Sequence, residues 1–154
     1  HDTAWLAEAV GEEGHVYAFD IQQAALDSTR ARLEEAGLAD RCTLILDSHA
    51  NALDYIHEPI CAGVFNLGYL PGGNKEIITT APTTISSVEQ ILEMMKPEGI
   101  IVLVIYHGHP GGDIERDEIL QFARALPQDT AHVLEYKFLN QKNNPPFIVA
   151  IEKR

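Results

Sequence analysis

Apolar positions along this chain recur with two periods, and the two take turns: short runs of strand length alternate with stretches spaced three and four apart. Asp2 or Thr3 can cap a first helix through Val10, and Gly11 and Gly14 break it. A short apolar strand over 15–19 ends at Asp20. Residues 22–36 have helical spacing, with Ala25, Leu26, Thr29 and Leu33 on one face, and Gly37 closes the helix. A β-branched strand over 42–46 ends in Asp47-Ser48-His49, and a short helix over 50–57 follows. The next strand, over 60–65, runs into a loop reading Asn66-Leu67-Gly68-Tyr69-Leu70-Pro71-Gly72-Gly73. A helix over 83–95 precedes Pro97 and Gly99. The unbroken apolar run over 100–105 predicts a strand buried on both faces. A loop over 107–112 leads to a helix over 113–125 capped by Asp113, and strands over 132–138 and 147–151 finish the chain.

Alternating strands and helices predict an α/β fold with a mostly parallel, Rossmann-like sheet. The last two strands depart from that rule. Only a short Asn- and Pro-rich stretch separates them, too short for the crossover that a parallel pair needs. They are expected to form an antiparallel hairpin at the C-terminal end of the sheet.

At 154 residues the chain is expected to be a single domain over 1–154. No apolar run is long enough to span a bilayer and no secretion signal is seen, so a cytoplasmic location is expected. Cys42 and Cys61 lie in apolar strand-like stretches and read as buried, reduced thiols. The formal net charge of −12 argues against loose, non-specific nucleic-acid binding, and leaves room for a basic patch on an acidic body. The chain enters its first helix at once. A fold of this kind opens with a strand and a tight turn, so both are expected upstream of His1.

In open α/β sheets ligands sit beyond the carboxyl ends of the strands. Polar residues follow the strands here. Asp20 can accept both hydroxyls of a ribose, and Asp47 can accept an adenine amino group. The Asn66 loop and Tyr106-His107-Gly108-His109 follow later strands. Each also has a plain structural use: Asp20 as a cap for the helix near Gln22, Asp47 and Ser48 as caps for the short helix after them, Asn66 to Tyr69 as an ordinary turn. His107 and His109 could be surface loop residues. They resemble an alternate-residue metal pair, but no third ligand accompanies them, and no metal is expected.

Taken in order, several runs carry a resemblance over essentially the whole chain. They are Phe19-Asp20-Ile21-Gln22, Asp47-Ser48-His49, Asn66 to Gly73, Tyr106 to Gly112, and Asn143-Asn144-Pro145-Pro146. The chain resembles the bacterial rRNA-methylase family of the YtqB/MnmM type. The resemblance implies a class I methyltransferase fold with S-adenosylmethionine as cofactor, and an upstream first strand with a Gly-rich turn. It implies methylation of the aminomethyl group on the wobble uridine of tRNA, recognised through the anticodon region. Ribosomal RNA is the substrate that the family name suggests. No membrane partner is implied, and a homodimer is left open.

Cofactor contacts are expected at His1, Asp2, Thr3, Asp20, Gln22, Asp47, Ser48, His49, Asn66 and Leu67. By similarity to amino-methylating enzymes, the Asn66 side-chain oxygen orients the amine and the Leu67 carbonyl accepts a second N–H. Tyr69 could stack on a displaced base. Tyr106 or His107 could accept the proton. Lys75, Lys137, Lys142 and Arg116 are candidate phosphate contacts, each with a solvated surface charge as the plainer reading. Rival functions are a methyltransferase for a small amine, which the acidic charge suits, and a dinucleotide-binding oxidoreductase or non-catalytic nucleotide-binding module. The terminal hairpin argues against the dehydrogenase, and the Asn66 loop against a purely structural role.

Overall fold

The computed structural model describes residues 2–67, 81–108 and 112–154. They divide into two compact units, His1–Ile56 and His57–Arg154.

In the first unit, helix α1 (Asp2–Val10) leads to strand β1 (Val16–Asp20). Helix α2 (Gln23–Ala36) and a single 3-10 turn (Ala39–Arg41) connect to strand β2 (Cys42–Leu46), and a second 3-10 segment (His49–Asp54) closes the unit. β1 and β2 pair in parallel, from Val16 opposite Cys42 to Asp20 opposite Leu46. The predicted face of α2 is the buried one: Leu26 and Leu33 are buried, and Ala25 and Thr29 partly so. Arg41 ties the first 3-10 turn to α1 by donating to the Ala7 carbonyl at 3.1 Å.

Gly37 ends α2 in the left-handed region at φ 73°. Its N–H donates to Glu34 and the Leu38 N–H donates to Leu33, the paired bonds of a Schellman motif. A Cβ at position 37 would meet nothing within 4 Å, so only the backbone conformation excludes other residues. Gly37→Ala is therefore expected to destabilise the protein by about 1 kcal/mol in a denaturant titration, with an unchanged slope.

In the second unit, β3 (Ile60–Leu67), α3 (Ala81–Met94), β4 (Met95–Ile105), α4 (Gly112–Ala125), β5 (Ala131–Tyr136) and β6 (Phe147–Lys153) follow in sequence. The sheet order is β3-β4-β6-β5. β3 and β4 are parallel, and β6 runs antiparallel to both β4 and β5. The expected C-terminal hairpin is thus present.

Four sequence expectations change here. The first is the start of β4, which lies at Met95 and not at 100. Ile60 pairs with Met95 but Ala62 already pairs with Ile100, so the residues between form a wide bulge. Glu98 has φ 70° in it, and a Cβ on Gly99 would lie 2.4 Å from the Met95 side chain. Pro97 and Gly99 shape a bulge inside a strand and do not mark a loop before one.

The second change concerns burial. Ile101, Leu103 and Ile105 are buried, whereas Ile100 is 40% exposed. One cluster explains this: Val88, Ile91 and Leu92 of α3 and Ile119 and Ala123 of α4 pack with the odd-numbered β4 residues and with Phe147, Val149 and Ile151 of β6. Both helices of this unit cover the same face of the sheet.

Third, Cys61 is exposed, at the register shift opposite the bulge, while Cys42 is partly buried. Burial raises the Cys42 thiol pKa, which keeps it protonated and inert. Fourth, α4 starts at Gly112, which puts Asp113 inside the first turn, where its charge favours the helix dipole. At the far end of the sheet, Lys153 donates to the Leu92 and Glu93 carbonyls at 2.6 and 3.2 Å, satisfying the C-terminus of α3. Among the described residues, no helix is long and apolar enough to cross a membrane.

Candidate functional site

The residues at the carboxyl edge of the first unit's strands come first. Parallel pairing of β1 and β2 places Asp20 opposite Leu46, one residue before Asp47, so the two carboxylates share one edge. Asp20 Oδ1 accepts the Gln22 backbone N–H at 2.9 Å, just ahead of α2. That bond closes a turn ahead of the helix and occupies one oxygen; the N-cap of α2 is Gln22, with no side-chain capping bond, so Asp20 does not cap the helix.

Asp47 is held by its own downstream residues. Oδ1 accepts the Ser48 N–H at 2.7 Å and the Asn51 side-chain amide at 2.8 Å, and Oδ2 accepts the Tyr55 hydroxyl at 2.7 Å. The Tyr55 bond, then those from Asn51 and Ser48, hold the carboxyl below its usual range. The same bond to Asp47 raises the Tyr55 phenol. Asp47 is thus an anchored, ionised acceptor. Ser48 Oγ accepts the Ala50 N–H at 3.1 Å and caps the 3-10 segment, as the plain reading expected. The Tyr55 ring meets Phe19 of β1 edge-on at 5.8 Å, bracing this edge. Sequence reasoning missed Asn51 and Tyr55. No helical spacing signals them, because Asp47 and Tyr55 lie outside the 3-10 segment and Asn51 sits at a kink within it.

His49 is partly buried, and burial lowers its imidazole pKa. The unfolded chain therefore binds a proton that the folded protein disfavours. The stability this contributes is complete above about pH 6.5 and is lost as pH falls through the ordinary histidine range toward the lower folded value. The Tm measured by calorimetry is expected to drop between about pH 7.5 and 5.5, and to drop less in His49→Gln.

The second unit has its own carboxyl edge. Asn66 and Leu67 lie within β3, paired with Val104 and Ile105, and not in the loop that was expected to contain them. Backbone pairing with β4 extends the strand through the polar residue. Tyr106 and His107 directly follow Ile105, and Phe147, paired with Ile105, places the turn before β6 at the same edge. Asn66, Tyr106, His107 and the 143–146 turn are therefore brought to one end of this sheet. Asn66 is exposed, and Tyr106 and His107 are half-buried.

His107 Nε2 lies 3.1 Å from the Pro145 carbonyl, and Nδ1 lies 3.1 Å from an Arg116 guanidinium nitrogen. Arg116 also pairs with Asp117 at 3.0 Å. Lys137 stands over the Phe147 ring at 5.9 Å. Of the candidate phosphate contacts, Arg116 is thus committed to protein partners. His1, Tyr69, Lys75 and His109 lie outside the described residues, as does the loop from Gly68 to Gly73. Asp2 and Thr3 open α1. Gln22 is the residue just ahead of α2.

Comparison with known proteins gives a consistent picture. A family model described as "Putative rRNA methylase" matches residues 16–152. The chain is 36% identical over 153 residues to a chloroplastic tRNA (mnm(5)s(2)U34)-methyltransferase of Arabidopsis thaliana. That match covers 96% of this chain and 56% of the relative, so the chain spans little more than half of that protein's length. The crystal structure of a "putative rRNA-methylase" from Clostridium thermocellum superposes with TM-score 0.97 at 44% identity, covering 100% of this chain and 83% of that one. A Streptococcus mutans methyltransferase structure in complex with SAH superposes with TM-score 0.90 at 40% identity, covering 100% and 82%. The chain belongs to this rRNA methylase family and has the fold of the class I S-adenosylmethionine-dependent methyltransferases.

Proposed function

We propose that the protein methylates the aminomethyl group on the wobble uridine of tRNA, with S-adenosylmethionine as methyl donor, in the cytoplasm. The observation that carries the reading is the likeness to the Arabidopsis tRNA methyltransferase along nearly the whole chain, combined with Asn66 at the carboxyl end of β3.

The residues of the first unit suit the cofactor. Asp20 and Asp47, on adjacent strand ends, are acceptors of the kind that ribose hydroxyls and an adenine amino group require. Asp47 is held ionised in place by Tyr55, Asn51 and Ser48. When bound, S-adenosylmethionine would supply a methyl group already activated by its sulfonium, so the protein's task is largely positioning.

The remaining work falls to the chain's own groups. An aliphatic amine is largely protonated at neutral pH, and only its neutral form is nucleophilic. The Asn66 side-chain oxygen accepts one N–H of that amine and the Leu67 carbonyl accepts another, which turns the lone pair toward the methyl group. Tyr69 stacks on the displaced base. Tyr106 is the candidate proton acceptor at this edge. Family membership carries the choice of RNA over a small amine.

The test is a three-way competition. The full-length protein is given labelled S-adenosylmethionine with tRNA lacking wobble-uridine methylation, with ribosomal RNA, and with a small aliphatic amine. Label in tRNA alone supports the reading. Label confined to ribosomal RNA or to the amine rejects it.

A further inference from the structure

Both ring nitrogens of His107 are engaged, and the chemistry of the two partners fixes which one carries the proton. Arg116 can only donate, since a guanidinium has no acceptor. Its nitrogen lies 3.1 Å from Nδ1, so Nδ1 must present a lone pair. The Pro145 carbonyl can only accept, and it lies 3.1 Å from Nε2. Nε2 therefore carries the hydrogen, and neither ring nitrogen has a lone pair left to offer a substrate. Arg116 itself is steadied by Asp117 at 3.0 Å.

From this we infer that His107 is a positioning residue, locked as the Nε2–H tautomer by Arg116, that pins the 143–146 turn in place for the RNA substrate and is not the proton acceptor of the reaction.

Three observations give the turn that importance. Asn143 and Asn144 both have positive φ, 66° and 52°, the left-handed conformation that asparagine tolerates best after glycine, and this gives the turn a tight, defined course. The His107 bond to Pro145 and its edge-on contact with the buried Phe147 ring, at 5.5 Å, hold the turn from below. Finally, the segment from Lys137 to Ile151 contains no Asp or Glu and carries Lys137 and Lys142, in a chain of net charge −12. A polyanion meets less repulsion there than an acidic surface would offer. The role in RNA binding rests on the function proposed above, whereas the tautomer lock does not.

The experiment has two arms on the full-length protein. In the first, imidazole 15N spectra at about pH 8 report the His107 tautomer. A neutral Nε2–H ring in the wild type, replaced by mixed tautomers in Arg116→Met, is expected. An Nδ1–H ring or an imidazolium in the wild type overturns the lock.

In the second arm, His107→Ala is expected to raise the KM for tRNA about tenfold, with kcat changed less than about threefold. His107→Gln, whose amide can still donate to the Pro145 carbonyl, is expected to restore most of that KM. A fall in kcat of about a hundredfold in His107→Gln, with KM unchanged, would make His107 the base and overturn the proposal. A wild type that transfers no methyl group to tRNA overturns the proposed function and the RNA role together, while the spectra still decide the lock.

Discussion

Asn66→Ala is expected to lower kcat for methyl transfer about a hundredfold, with Tm nearly unchanged. Asn66 is exposed at the carboxyl end of β3, opposite Val104, so removing its amide leaves no cavity in the core formed by Phe65, Leu103 and Val149. Its loss should be felt in the chemistry. The proposed nucleophile is an amine whose lone pair must face the methyl group, and the side-chain oxygen is the group proposed to turn it. Misplacing a reacting group by about 1 Å costs on the order of 10²-fold, because positioning supplies most of the rate when the electrophile is already activated. Single-turnover rates with tRNA, read beside a thermal melt, separate this outcome from unfolding. A variant with wild-type single-turnover rate would remove Asn66 from the reacting centre.

The second large effect is expected at Asp20. This residue has two uses, and they can be separated. Oδ1 holds the turn ahead of α2 through the Gln22 N–H, and the carboxylate is proposed to accept the ribose hydroxyls. Asp20→Ala removes both uses and confuses them. Asp20→Asn keeps an acceptor for the Gln22 N–H, but removes the charge and turns one oxygen into a donor. Hydrogen bonds to charged groups contribute about 1.5–3 kcal/mol each, so losing one charge-assisted bond weakens S-adenosylmethionine binding by roughly ten- to a hundredfold. Titration calorimetry should show that rise in Kd with a Tm within a few degrees of wild type. An unchanged Kd would reduce Asp20 to a turn residue ahead of α2.

These residues also show what can be read from a sequence and what cannot. β2 was read with both of its ends, because a β-branched run from Cys42 to Leu46 is followed at once by polar capping residues. The terminal hairpin followed from loop length alone, a constraint of chain geometry. The start of β4 was misplaced because Pro97 and Gly99 are local stop signals. Whether they break a strand or bulge it depends on the partner strand, and the pairing of Ile60 with Met95 is tertiary. Asn66 was put in a loop for the same reason: nothing in its own neighbourhood announces that Val104 pairs with it. The strand-end position of Asp20 and Asp47 was legible, since an acidic residue after an apolar run needs only local sequence. The clamp of Tyr55 on Asp47 was not legible, because the kinked 3-10 segment between them follows no α-helical spacing. The pairing of His107 with Arg116 and Pro145 was not, because three separate segments meet there.

The central claim is that the nucleophile is the exocyclic amine of a tRNA uridine. The measurement that tests it most directly is position-resolved nucleoside mass analysis of tRNA after reaction with isotopically labelled S-adenosylmethionine and the full-length protein. The account predicts the labelled methyl group on the aminomethyl nitrogen of the wobble uridine, and its loss in Asn66→Ala. A label on a ring carbon, on a ribose oxygen, or on a nucleotide outside the anticodon would contradict it.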